Sequence, residues 1–442
     1  MARREQPRSA RDAALQVLVN CQRRGAWSDS ALSSALAASR LSGRDAALAS
    51  HICYGVQQNQ MLLDYWLGEF CTVPIRKLEP AVRWAMEMGM YQVVFLERVP
   101  DAAAVNESVE LVRRYSRNPN STRLANGVLR SFVRRREALP QPESLSVRCS
   151  HPQWLVEQFA KELGGEGVEA LLRANNSRPP TVIHCNPLKT TPEELKDRLE
   201  REGVQVEPSP FFNDSFFITG SGALEELDSF REGWFQVQDT ASRFAVLAAD
   251  PAAGMDVLDV CSAPGGKSLR AAMMMENRGS ILACDLQEKK LQRIRTAAER
   301  LGVCCITERA MDGRVFEPAF EKRFDLVLTD VPCSGLGIIR KKPDIRLKQP
   351  EQLQALPSIQ RDILDNASRY VKPGGVLLYS TCTVLRRENQ DVVQAFLADC
   401  GGFDLEPFTL PKVGSCSGMI TLWPHIHGTD GFFMAKLRKR YD

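Results

Sequence analysis

Apolar positions recur at helical spacing through the first 140 residues of the chain. SARDAALQVLVNCQRR (9–24) places Ala14, Leu15, Leu18 and Cys21 on one face, and SGRDAALASHICYGVQQNQMLLDYWL (42–67) continues the pattern behind Ser42 as helix cap. PAVRWAMEMGMYQVVFL, AAAVNESVELVRRYS and TRLANGVLRSFVRRR follow, with breaks predicted at Gly25, Cys71–Pro74, Val99–Asp101 and Ser116–Ser121. Five or more helices with short connections predict an all-α bundle.

Residues 136–153, REALPQPESLSVRCSHPQ, are polar and proline-bearing and read as a linker. Helices over 154–175 lead into RPPTVIHCNPLKTTPEELKDRLEREGVQVEPSPFFNDSFFITG (178–220), where strand, a helix capped at TTPEE and strand alternate as in a small α+β unit. From Met255 the alternation becomes regular. MDVLDVCS, SILACDL, CCITERA, FDLVLTDV and GVLLYSTC read as strands, separated by KSLRAAMMME, EKKLQRIRTAAERLG, a loop with a short turn, and QLQALPSIQRDILDNASRYV. Helices between β-rich runs predict a doubly wound, Rossmann-like α/β domain with a mostly parallel sheet of seven strands. The tail TLWPHIHGTDGFFMAKLRKR adds two strands joined by a turn. The predicted segments are 1–140, 150–235 and 236–442.

At 442 residues the chain exceeds one ordinary core. Its 44% hydrophobic and 25% charged residues are those of a soluble globular protein, and no apolar run reaches the length of a membrane span. The basic start, MARREQPRSARD, runs into a helix pattern rather than an apolar signal core, so a cytoplasmic protein without membrane association is expected. Thirteen cysteines are scattered without a Cys-x-x-Cys pair, and the five histidines add no ligand set, so neither a disulfide framework nor a metal site is expected. The net charge of +3 matters less than its distribution. The first 140 residues carry about 20 Lys and Arg against about 13 Asp and Glu, with about fourteen of the cations at Arg3–Arg24 and Arg113–Arg136, a surface able to bind a polyanion.

In LDVCSAPGGKS (258–268) a strand meets a helix through Pro264, Gly265 and Gly266. Open α/β sheets bind ligands outside the carboxyl ends of their strands, and a glycine pair at a helix N-terminus lets backbone N–H groups approach a ligand. Asp285 closes the next strand, where an acid can bind both ribose hydroxyls; Asp312 follows the third, in reach of an adenine edge; Asp330 ends the fourth. Three acids at successive strand ends argue for a nucleotide-like cofactor. NAD is the poorer candidate, because the Gly-x-Gly-x-x-Gly fingerprint is absent. A late hairpin on such a sheet is the arrangement of methyltransferases that use S-adenosylmethionine (AdoMet).

Two thiols sit at strand ends, Cys333 in DVPCSGLG and Cys382 in YSTCT. Carbon 5 of a cytosine is a poor nucleophile until a thiolate adds to carbon 6, and the carbon-5 proton must later leave so that the thiol can be eliminated. Such chemistry needs a cysteine with thiolate character, an acid for the pyrimidine edge and help in release. Asp330 can serve the edge and Lys267 can favour a thiolate; the residues alone leave either cysteine as nucleophile.

DVCSAPGGK, DVPCSGLGIIRKKPDIR and YSTCT, in that order, resemble the RNA cytosine-5 methyltransferases of the NSUN or Sun type, as do GWFQVQDTAS (233–242) and HGTDGFFMAKLRK (427–439). The front end, with VNESVELVRRYS and NGVLRSFVRR, resembles a NusB-type RNA-binding domain. The resemblance spans nearly the whole chain. It implies methylation of carbon 5 of a cytosine in small-subunit (16S) ribosomal RNA by a monomer, with a transfer RNA cytosine and a non-catalytic RNA-binding or antitermination role as rivals. It implies Cys382 as nucleophile, Cys333 as release thiol, and AdoMet contacts from Cys261, Ser262, Ala263, Pro264, Gly265, Gly266, Lys267, Asp285, Asp312 and Asp330. Ser262 and Val331 stand where alanine is common in this family, and His184 where an arginine would contact RNA.

Overall fold

The computed structural model describes residues 7–24, 32–36, 39, 41 and 43–441. The chain divides into two units: Met1–Ser177 with Ile339–Lys348, and Arg178–Ile338 with Gln349–Asp442.

The first unit is helical: α1 (Ala10–Arg24), α2 (Gly43–Gln58), α3 (Gln60–Phe70), α4 (Pro80–Phe95), α5 (Asp101–Tyr115) and α6 (Asn120–Arg134). Three of the predicted breaks fall between helices, whereas Gly25 and Ser42 lie outside the described residues. The pattern over 42–67 forms two helices, because Asn59 (φ −112°, ψ 16°) leaves the helical conformation. α4 is buried at every position from Trp84 to Val93, as befits a central helix. Ile52, Leu63, Met86 and Phe132 belong to the core around it. α6 is amphipathic, with Ala125, Val128, Leu129 and Phe132 inside and Arg123, Arg130 and Arg134 exposed.

The predicted linker is a packed segment instead. It forms a short helix, Leu145–Arg148, and buries Ser146, Cys149, Ser150 and His151. Hydrogen bonds hold it in place: Ser146 Oγ donates to the His151 carbonyl at 2.6 Å and the Trp66 indole donates to the Pro140 carbonyl at 2.9 Å. α7 (Gln153–Leu163) and α8 (Val168–Asn175) complete the unit. Ile339–Lys348, from the distant stretch after DVPCSGLG, joins it through the buried Arg346. The guanidinium donates to the carbonyls of Gln58 (2.8 Å) and Ser150 (2.7 Å) and to Asn176 Oδ1 (3.1 Å). Burial pulls the Arg346 pKa down to about 9.

The second unit begins with a four-stranded antiparallel sheet, ordered β2–β3–β1–β4, from β1 (Thr181–Cys185), β2 (Gln205–Pro208), β3 (Ser215–Thr219) and β4 (Phe235–Val237). The predicted cap is present at α9 (Pro192–Arg201): Glu194 N–H donates to Thr191 Oγ1 at 3.3 Å and Thr191 N–H to Glu194 Oε2 at 3.1 Å.

After α10 (Thr240–Ala249) comes an α/β sheet ordered β10–β14–β9–β8–β5–β6–β7, with β13 paired to β14. Its elements are β5 (Asp256–Asp259), α11 (Gly266–Met274), β6 (Ser280–Asp285), α12 (Glu288–Leu301), β7 (Ile306–Ala310), β8 (Phe324–Asp330), α13 (Leu356–Tyr370), β9 (Val371–Thr381), α14 (Gln390–Asp399), β10 (Phe403–Leu405), β13 (Met419–Leu422) and β14 (Phe432–Lys439). A separate two-stranded ladder, β11 (Phe408–Leu410) with β12 (Gly414–Cys416), lies in the tail. The sheet has eight strands rather than seven. The pairs among β5 to β9 are parallel, and β10, β13 and β14 are antiparallel. The turn within the predicted final hairpin holds a short helix, Pro424–His427. β10 to β12 escaped the sequence reading because three residues give too little alternation to register. The chain runs from β5 outward to β7, then returns to β8 on the other side of β5. The switch point therefore lies between β5 and β8, and the predicted site residues cluster at its carboxyl edge.

Candidate active site

Hydrophobic strands β5 and β8 lead polar residues to the sheet edge, and the turns that follow are tied down by hydrogen bonds. Ser262 donates its N–H (2.7 Å) and its hydroxyl (2.8 Å) to the Cys284 carbonyl, fastening the glycine loop to β6. Asp285 accepts from Ala263 N–H at 3.2 Å and Gln287 N–H at 3.0 Å. The Ala263–Pro264 peptide is cis, and Gly265 (φ +102°) precedes α11 in a conformation that favours glycine. Gln236 from β4 donates to the Gly266 carbonyl at 2.8 Å and supports the turn from behind. The donors suit an amino-acid-bearing nucleoside: N–H groups at the head of α11 for a carboxylate, and the Asp285 carboxylate at the next strand end for a diol. Asp312 also sits at this edge, where its carboxylate takes Arg314 N–H (3.0 Å) and guanidinium (2.7 Å), bonds that hold its pKa below the usual range.

Asp259, which the sequence reading passed over, is buried and accepts from Ser268 Oγ at 2.6 Å. Burial lifts its pKa to about 7, against the pull of that hydrogen bond and the Lys267 charge. Cys261 is pushed well up by burial and by Asp259, Asp330 and Asp285.

Lys267, buried at the start of α11, pairs with Asp330 Oδ2 at 2.6 Å and lies 5.2 Å from the Phe432 ring centroid. Ser380 Oγ donates to Asp330 Oδ1 at 2.9 Å, so both carboxylate oxygens are fixed. The two cysteines are brought together, Sγ to Sγ, at 3.2 Å. Their titration is split. The hydrogen bond from Cys333 holds the Cys382 thiol below its ordinary value, with Lys267 helping and burial, Asp330 and Asp430 opposing. Cys333 is pushed well up by that same bond, by burial, by the Cys382 charge, and by Glu388 and Asp330. The surroundings thus favour Cys333 as the donor and Cys382 as the acceptor within the pair.

Three loops meet around the thiols. Ser334 Oγ donates to Thr383 Oγ1 at 2.7 Å, Gly337 N–H to the Cys382 carbonyl at 3.0 Å, and Gly431 N–H to the Gly337 carbonyl at 2.8 Å. A Cβ on Gly337 would fall 1.9 Å from the Gly431 oxygen. Gly337→Ala is therefore expected to separate the loops, lowering stability by about 1–3 kcal/mol and slowing the thiol chemistry as well. Thermal unfolding and an adduct assay check this, and an alanine variant matching the parent in both would contradict it.

His184, read as standing at an RNA-contact position, is instead fully buried. It lies 2.6 Å from Ser215 Oγ and 3.0 Å from Arg243, and burial with the Arg243 charge keeps its pKa well below the usual value. Arg243 and Arg270 share Asp214, whose pKa the two arginines bring to about 2 despite burial. The order strand, capped helix, strand over 178–220 already placed His184 on a strand; the burial of both faces was not visible in it. Besides Asp259, the reading missed Ser380, Gln236, Gln360 and Glu388. Ser380 had a signal, since YSTCT sets it two residues before Cys382; Gln360 lies mid-helix and had none.

Among the described residues no helix is long and apolar enough to cross a membrane, and no cluster of His, Cys, Asp and Glu could hold a metal ion. A probable ribosomal RNA small subunit methyltransferase B of Bacillus subtilis is 36% identical over 98% of this chain and 99% of its own length. The chain belongs to the RsmB/F family of 16S rRNA methyltransferases. The family description "16S rRNA methyltransferase RsmB/F" matches residues 246–438, the NusB family 8–134, and an RsmF/B-like ferredoxin-like domain 151–225. The ribosomal RNA small subunit methyltransferase B of Pectobacterium carotovorum is 33% identical over 90% of this chain and 92% of its own. Among solved structures, PH0851 superposes with a TM-score of 0.78 at 28% identity, covering 97% of this chain and 98% of that one. A methyltransferase homologue from Pyrococcus horikoshii gives 0.58 at 27% identity, covering 67% and 97%. The RsmB/F assignment agrees with the resemblance in the cysteine motifs and with the NusB-like front end.

Proposed function

We propose that this chain methylates carbon 5 of a cytosine in small-subunit ribosomal RNA, with AdoMet as methyl donor, through a covalent bond between Cys382 and the base. The observation that carries the reading is the thiol pair at 3.2 Å, at the same sheet edge as the Lys267–Asp330 ion pair at 2.6 Å. AdoMet, when bound, supplies an electrophilic methyl group; the glycine loop Cys261–Lys267, Asp285 and Asp312 are assigned to hold it.

Cys382 adds to carbon 6, which makes carbon 5 nucleophilic. The fixed Asp330 carboxylate accepts from the cytosine amino group and orients the ring. Once the Cys382 sulfur is bonded to carbon, the two largest charge effects holding Cys333 protonated, its bond to the thiolate and that thiolate's charge, are gone. After carbon 5 has been methylated, Cys333 then gives its proton to solvent more readily, at the stage that needs a base. Its thiolate takes the carbon-5 proton, the C–H electron pair restores the ring double bond, and the carbon–sulfur bond breaks. That step returns Cys382 to thiolate and Cys333 to thiol, the resting pair.

The segments 1–140, 150–235 and 236–442 are assigned RNA binding, RNA-side support and catalysis. Exposed Arg123, Arg130 and Arg134 on α6 support a phosphate-binding role for the first. The test is methyl transfer to naked small-subunit RNA and to transfer RNA. Incorporation at a cytosine of the ribosomal RNA is expected, and incorporation into transfer RNA alone would overturn the substrate assignment.

A further inference from the structure

Glu388 is fully buried, and no step above uses it. It closes the short turn Arg386–Glu388, six residues beyond Cys382, yet it serves the loop of the other cysteine. Its Oε2 accepts from Ser334 N–H at 2.8 Å and from Gln360 Nε2 at 2.9 Å. The same Gln360 nitrogen donates to the Pro332 carbonyl at 2.9 Å. Cys333 is thereby gripped through both of its chain neighbours. The turn holding Glu388 is anchored in its own right, since the Tyr379 hydroxyl donates to the Glu388 carbonyl at 2.5 Å. A buried carboxylate is costly unless it is strongly hydrogen-bonded, and here one oxygen takes both donors, a charge-assisted grip that a neutral amide would make more weakly. Its second oxygen, Oε1, is buried without a hydrogen-bond partner.

We propose that Glu388, held by Gln360, is a positioning residue for the release thiol, fixing the Pro332–Ser334 turn so that the Cys333 sulfur faces Cys382 and the bound base. The inference rests on the release role proposed for Cys333.

Adduct formation and adduct release are timed separately, by denaturing gel, for the full chain with AdoMet and small-subunit RNA. The variants are Glu388→Gln, Gln360→Met, Cys333→Ala and the double variant Cys333→Ala with Glu388→Gln. Glu388→Gln keeps size and an acceptor, and Gln360→Met removes the donor to the acid and to the Pro332 carbonyl while leaving the acid in place. Release is expected to slow at least about tenfold in both clamp variants, the loss typical of a charge-assisted hydrogen bond in a buried site, with formation changed by less than about threefold. The double variant is expected to release no more slowly than Cys333→Ala, because Glu388 acts through that thiol. Release at the parent rate in both clamp variants, equal slowing of both steps, or a further slowing in the double variant would overturn the proposal. Failure of Cys333→Ala itself to retain adduct would overturn the release role on which it rests, a distinguishable result.

Discussion

Cys382→Ala is expected to abolish methylation and to form no covalent complex with RNA, while remaining folded and able to bind AdoMet. Loss of the nucleophile from a covalent enzyme costs on the order of 10^6-fold in turnover, so activity should fall below detection. The protein should survive the change. Cys382 is only partly buried and, among the described residues, its side chain hydrogen-bonds to Cys333, so stability should move by no more than about 1–2 kcal/mol. The lost activity therefore would not be an unfolding effect. Calorimetric AdoMet binding beside methyl incorporation separates the two, and residual turnover above about one part in a thousand would argue against covalent catalysis by this thiol.

Cys333→Ala has the opposite signature. Addition to carbon 6 needs Cys382 and is retained, but the base that removes the carbon-5 proton is missing, so methylated RNA stays bound through sulfur. A denaturant-resistant protein–RNA complex should accumulate and turnover should stop near one equivalent. A second effect follows from the split titration. Without the Cys333 donor, the chief influence lowering the Cys382 pKa is lost and burial raises it. The pH midpoint of adduct formation should therefore move upward relative to the parent. An unchanged midpoint would mean that the 3.2 Å contact does not polarise the pair.

The architecture was readable wherever periodicity was long. The strands that became β5, β6, β8 and β9, the helices between them and most of the front-end helices follow from spacing alone, because burial on one or both faces dictates residue type over four or more positions. Polar groups recruited from afar were not readable. Gln360 and Gln236 hold the Cys333 turn and the glycine loop through backbone carbonyls, contacts that any residue type can accept. The packing of 136–153 was misread for a related reason: Ser150 and His151 look like linker residues until Leu62 N–H and the Cys149 carbonyl are found beside them. The roles of the two cysteines were chemically interchangeable in the sequence. The placement of Lys267 and Glu388 supplies a physical asymmetry between them, in the direction that the family resemblance implied.

The most direct test of the account is to trap the Cys333→Ala complex with AdoMet and small-subunit RNA, digest protein and RNA, and locate the nucleotide-bearing peptide by mass spectrometry. A methylated cytidine attached to the peptide carrying Cys382 is the predicted result. A nucleotide attached to any other residue, or no adduct with this RNA, would contradict it.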